Sequence, residues 1–152
     1  MSIPLVPNLL RAHLAELSAE DKRHDGRGQF QGRDVELEIN CLPRAEGSAR
    51  VRMGDTIVLA GVKFQIMTPY PDRPNEGGLM CSAEVRPVAG RNWEAGPPSA
   101  ESIELGRVVD RGIRESGCIN TEDLCIIPGE KAWQVILDVF AISDDEIGRA
   151  HV

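Results

Sequence analysis

A nucleophile working with a base would need a serine or cysteine beside a histidine. The only histidines, His13, His24 and His151, stand in the first 24 residues and the last two. No hydrolytic triad is expected. The four cysteines, Cys41, Cys81, Cys118 and Cys125, include no C-x-x-C pair and no zinc spacing, so they read as reduced core thiols, with neither a metal nor another cofactor expected. The carboxylate pairs Glu20-Asp21 and Asp144-Asp145 read as solvated surface rather than general acid and base. Asp138 differs from these, because it interrupts the apolar run WQVILDVFAI. A buried carboxylate costs several kcal/mol unless it is paired, so Asp138 is expected to have a structural partner, an arginine or a polar pocket, ahead of a catalytic role.

Arg107, Arg111 and Arg114 carry the most informative pattern. On a helical wheel they fall within about 60° of one another, opposite Leu105, Val108, Val109 and Ile113. Two readings stand side by side. Either Glu104, Asp110 and Glu115 offset the charge through i,i+3 and i,i+4 pairs on a solvated face, or the guanidinium forks contact phosphates along a nucleic-acid backbone. Neither Trp93 nor Trp133 is placed as a base-stacking platform, so sequence-specific readout has no support.

These residues need elements to position them. The arginines require a helix capped by Ser99, running to about Ser116 and stopped by Gly117, with Glu101 and Glu104 near its positive end. Before it, Val35, Leu37, Ile39 and Cys41 alternate with polar residues, as do Ala49, Val51 and Met53, the pattern of half-buried strands. Thr56–Phe64 is nearly continuously apolar and predicts a strand covered on both faces. Together these form an antiparallel meander. A Pro-rich and Gly-rich loop, TPYPDRPNEGG at 68–78, precedes a further strand from Leu79 to Val88, and Leu124–Ile127 and Ala132–Ile142 predict two strands around a Pro128-Gly129 turn. At the other end, Asn8 caps a short helix whose Leu10, Leu14 and Leu17 share a stripe, and the segment DGRGQFQGR at 25–33 reads as a loop.

The chain of 152 residues carries a net charge of −7, which argues against bulk attraction to nucleic acid or to an anionic membrane; any polyanion site must be a local patch. No run approaches the roughly 18 apolar residues of a membrane span, and the N-terminus lacks the form of a secretory signal, so a cytoplasmic protein without a membrane partner is expected.

Taken in order, several motifs form a recognisable series: DGR at 25–27, AEGSARVRMGDTIVLAGVK at 45–63, PNEG at 74–77, EAGPP at 94–98, IELGRVVDRGIRES at 103–116 and PGEKAWQVILDVF at 128–140. They resemble the ribonuclease PH family, and within it the archaeal exosome ring subunits that lack a phosphorolytic site of their own. The resemblance covers about Asp21 to Asp145. It implies an α+β fold of the ribonuclease PH type (ribosomal protein S5 domain 2-like, β-α-β), incomplete at its C-terminus. It also implies a hexameric ring, a trimer of dimers, in which such a subunit alternates with a catalytic subunit beneath cap proteins while single-stranded RNA is shortened from its 3′ end by phosphate. The RNA-contacting arginines of such subunits fall on Arg107 and Arg111; Arg114 joins them by helical geometry alone. Catalytic relatives carry an Arg-Arg pair just before the I-E-L, where this chain has Ala100 and Glu101, so no catalytic residue is assigned. The alternatives are an active phosphorolytic 3′-5′ exoribonuclease and a ring protein without RNA contact. Residues 1–20 are expected as a docking helix and 21–145 as the front part of a ribonuclease PH-like domain. Residues 146–152, EIGRAHV, can be encoded by a common sequencing-library adapter and are expected to be a non-native tail.

Overall fold

The computed structural model describes residues 8–23, 25–90 and 93–144. The expected tail, 146–152, lies outside the described residues. The chain divides into two compact units at Asp34/Val35. In the first, helix α1 spans Asn8–Ala19, and its Leu14 and Leu17 are half-buried. A loop follows, closed by a bridge between Lys22 and Gly28. The DGR segment is held by its own side chains: Arg27 Nε donates to Asp25 Oδ2 at 2.7 Å, and Arg27 Nη1 to the Gln31 carbonyl at 2.7 Å. The Arg27 guanidinium holds the Asp25 carboxyl below its ordinary range. Composition alone predicted a loop there, and its arginines fasten it.

Among its described residues the second unit is one sheet with one α-helix and two short 3-10 turns, at Pro87–Ala89 and Glu122–Leu124. Its strands are β1 (Val35–Ile39), β2 (Gly47–Met53), β3 (Thr56–Met67), β4 (Gly78–Val85), β5 (Cys125–Ile127) and β6 (Lys131–Ser143), with helix α2 at Ala100–Ser116 between β4 and β5. The order is β1-β2-β3-β6-β4, and β5 pairs with the start of β6. The meander β1–β3 is antiparallel as expected, and the Pro128-Gly129 turn, with Gly129 at φ 74°, joins β5 to β6. The chain leaves β4, crosses through α2 and returns as β6, parallel to β4. A parallel return needs such a crossover.

The register explains the alternation. One row across the sheet, Ile39, Ala49, Ala60, Val139 and Ala83, is wholly apolar, and the next, Glu38, Arg50, Leu59, Phe140 and Glu84, faces the other way. On that second face Arg50 pairs with Glu38 at 2.8 Å. Helix α2 lies on the apolar face, over β4. Two expectations are corrected here. β1 is not half-buried: Val35, Leu37 and Ile39 are 63–67% exposed. β3 is central but not covered on both faces, since Phe64 and Ile66 are exposed. The reason is geometric: within this unit the helix sits at the β4 end and does not reach the apolar side of the β1 end.

Gly106 is on the helix face that meets the sheet, where an added Cβ would make ordinary contacts with the Ala83 nitrogen at 3.4 Å and Cβ at 3.8 Å. Alanine therefore fits and removes the backbone freedom that glycine loses on folding. Gly106→Ala is expected to raise stability by roughly 0.5–1 kcal/mol in chemical denaturation; a loss of stability would refute the packing described here. Among the described residues no helix is long and apolar enough to cross a membrane.

Candidate nucleic-acid interface

Helix α2 begins and ends where its sequence demands. Ser99 caps it, its Oγ accepting the Ser102 N–H at 3.2 Å, and Gly117 closes it in the left-handed region at φ 64°. The stripe that packs on β4 contains Ser102, Gly106, Val109 and Ile113 rather than the full apolar set read from the wheel. Leu105 and Val108 remain 39% and 62% exposed. The wheel identifies an apolar sector, but the small residues Ser102 and Gly106 decide which part of it approaches the strand.

The three arginines separate into distinct roles. Arg107 is exposed and forms no hydrogen bond or ion pair among the described residues. Among the described residues Arg111 makes only an exposed pair with Glu115, at 3.3 Å, the kind of contact worth a few tenths of a kcal/mol. Arg114 is committed: its Nε donates to Asp110 Oδ2 at 2.8 Å and its Nη2 to the Leu79 carbonyl at 2.6 Å, tying the helix to β4. Asp110 accordingly pushes the Arg114 guanidinium further toward its charged form. The i,i+4 spacing signalled the Asp110 partner, but the Leu79 carbonyl had no signal in the sequence.

The N-terminus of α2 opens on a cleft of about 550 Å³ whose charged lining is Glu84, Glu94, Glu101 and Arg86. Arg86 is already engaged, its guanidinium 3.2 Å from Glu84 and 4.5 Å above the Phe140 ring. With Glu84 paired to Arg86, the carboxylates of Glu94 and Glu101 leave the cleft net negative, which repels phosphate. The helix end that ordinarily attracts anions is here occupied by Glu101.

Asp138 has the structural partner expected of it, though not an arginine: the Ser82 hydroxyl donates to its Oδ1 at 2.6 Å across the β4–β6 pair. Burial pushes the Cys81 thiol up, with the Asp110 and Asp138 charges adding to the effect, so it is not an activated nucleophile. No group of three or more His, Cys, Asp or Glu residues fit to hold a metal occurs among the described residues.

The family model "3' exoribonuclease family, domain 1" (RNase_PH) matches residues 31–150. The chain belongs to this family. Its α+β fold is of the ribonuclease PH type. Among similar members, the "Exosome complex component Rrp42" of Methanosarcina acetivorans is 47% identical over 141 residues, 93% of this chain and 53% of that protein. The Archaeoglobus fulgidus protein of the same name is 45% identical over 93% of this chain and 54% of its own length. A solved structure described as the Archaeoglobus fulgidus exosome with RNA bound to the active site matches with a TM-score of 0.83 and 46% identity, over 91% of this chain and 54% of that one. An archaeal exosome core matches at a TM-score of 0.71 and 41% identity, covering 91% and 51%. The chain thus spans about half the length of these family members.

Proposed function

We propose that this chain is the front half of a non-catalytic, RNA-binding ring subunit of an archaeal-type exosome, which guides single-stranded RNA by phosphate contacts from Arg107 and Arg111 toward a partner subunit that performs 3′-to-5′ phosphorolysis. The observation that carries the reading is the state of α2: two arginines on one flank are exposed and available, while the helix N-terminus, where an enzyme of this family would bind phosphate, faces Glu84, Glu94 and Glu101. Guanidinium forks on a helix flank hold phosphate oxygens without reading bases. Similarity to proteins named Rrp42 and to exosome cores supports the ring assembly, with the catalytic subunit and cap proteins as partners. Arg114, grouped with the other two by helical geometry, belongs in this reading to the framework.

The test is a reconstituted ring of the full-length subunit and its catalytic companion. RNA retention is expected, and to fall when Arg107 and Arg111 are both replaced by glutamate. The subunit alone, given RNA and phosphate, is expected to release no nucleoside diphosphate. Release by the subunit alone would establish the alternative, an active phosphorolytic exoribonuclease, and unchanged retention in the double variant would leave a ring protein without RNA contact.

A further inference from the structure

The two arginines assigned to RNA share their flank of α2 with carboxylates. Glu104 and Asp110 line a groove of about 650 Å³ together with Arg107 and Arg111, and Glu115 pairs with Arg111. Three negative charges against two positive ones make a poor surface for a polyanion. Asp110 is the carboxylate that decides the matter, because it stands on the ridge of the helix between two grooves. It lines the first with Arg107 and Arg111, and a second, of about 450 Å³ beside β4, with Arg107 and Arg114. Arg107 lies three residues before it and Arg114 four residues after it, both spacings at which side chains meet on a helix surface.

Asp110 pairs with Arg114. The Arg114 Nε donates to Asp110 Oδ2 at 2.8 Å, while Arg107 forms no hydrogen bond or ion pair among the described residues. Three physical reasons favour that choice. An acid four residues before a base is the better order on a helix, because each charge then complements the dipole, and a pair with Arg107 would reverse that order. Arg114 stands in the last turn, where the carbonyl end of the helix stabilises a cation. Its Nη2 is also fixed on the Leu79 carbonyl at 2.6 Å, so the side chain is already ordered when it meets Asp110, and the entropy that weakens exposed ion pairs is not lost a second time. Arg111, by contrast, holds Glu115 in the less favourable order, base before acid, with both groups exposed, and a phosphate displaces such a pair readily. Each of these contacts lies within α2 or between α2 and the adjoining β4.

We infer that Arg114 is a positioning residue for RNA binding that acts through Arg107: by holding Asp110 on the β4 side of the helix, it keeps the competing carboxylate off the Arg107 guanidinium, which stays free for a phosphate. Without Arg114, Asp110 turns to Arg107 and RNA has to displace it. An exposed pair of this kind lowers affinity by about two- to fivefold. The number of phosphates contacted in the complex is the same, so the loss appears in the affinity and not in its salt dependence.

The inference rests on the proposed phosphate contacts of Arg107 and Arg111, and a double-mutant cycle keeps the two apart. Binding of a fluorescent single-stranded oligoribonucleotide is measured by anisotropy in the reconstituted ring of full-length subunits, in buffer without phosphate. Arg114→Ala is expected to weaken binding about two- to fivefold, less than Arg107→Ala does. Asp110→Asn alone is expected to change it by less than about 1.5-fold, because Arg114 already holds that carboxylate, and the two substitutions together are expected to restore wild-type binding. Arg114→Gln, which keeps a donor for the Leu79 carbonyl and loses the charge, takes the place of Arg114→Ala should that variant fail to enter the ring. A double variant as weak as Arg114→Ala means that only the tie to β4 matters, and overturns the inference. Asp110→Asn tightening binding by the factor that Arg114→Ala weakens it, the additive result for two remote charges, overturns it as well. In both cases Arg107→Glu with Arg111→Glu still lowers retention; if that variant binds as the wild type does, the phosphate reading and this inference fall together.

Discussion

Replacing Gly77 by alanine is expected to destabilise the fold by roughly 2–3 kcal/mol, the upper range for overpacking a single methyl group. The added Cβ would overlap the Trp133 carbonyl oxygen and the Leu124 Cβ. Neither obstacle yields cheaply. Trp133 lies in β6, which is paired with β3 on one side and with β4 and β5 on the other, and Leu124 immediately precedes β5. Moving Gly77 instead would break its N–H bond to the Thr121 carbonyl. Urea denaturation of the variant measures the effect. Gly112→Ala serves as a control, because nothing lies within 4 Å of its added Cβ and alanine favours the helix; it should stabilise. A loss at Gly77 below about 0.5 kcal/mol, the scale of ordinary surface substitutions, would sink the account of this junction.

The second large effect concerns RNA. Each phosphate neutralised on a single strand contributes about 0.7 to the slope of log affinity against log salt. Arg107→Ala with Arg111→Ala should lower that slope by about 1.4 if both contact phosphate, and charge reversal at both positions should weaken retention at least 10-fold. Arg114→Ala should behave differently. Its guanidinium already holds Asp110 and the Leu79 carbonyl, so its loss is expected to leave the salt slope unchanged and to cost about 1 kcal/mol of stability. A salt titration of RNA binding by the assembled ring, with a denaturation curve for each variant, separates the two roles. Equal effects at Arg107 and Arg114 would contradict the division.

The boundaries of α2 were legible because caps are local: Ser99, Gly117 and the residues between them carry their own signals. β1, β2 and β4 were legible for the same reason, since alternation is written residue by residue, and β3, β5 and β6 were legible as apolar runs. What the helix and the sheet leave uncovered was not. Val35, Leu37 and Ile39 alternate as a half-buried strand should, yet periodicity names the apolar side without saying whether anything lies on it. Long-range partners were also beyond reach. Asp138 demanded a partner, but that it is Ser82, 56 positions earlier, follows only from the parallel register of β4 and β6. Among the arginines, spacing placed three on one flank and could not tell that one of them spans to a strand 35 positions away.

The position of β6 has a consequence for how the chain is made. Among the described residues it is the latest strand in sequence, yet it stands between β3 and β4 in space. The meander β1–β3 can pair as soon as it emerges from the ribosome, because its contacts are local. β4 has no strand to pair with until Lys131 and the residues beyond it have been added. At about 5–20 residues per second the intervening stretch takes several seconds. Within that interval α2 is made and can pack on β4, and the order of synthesis leaves the crossover to wait for its own closing strand.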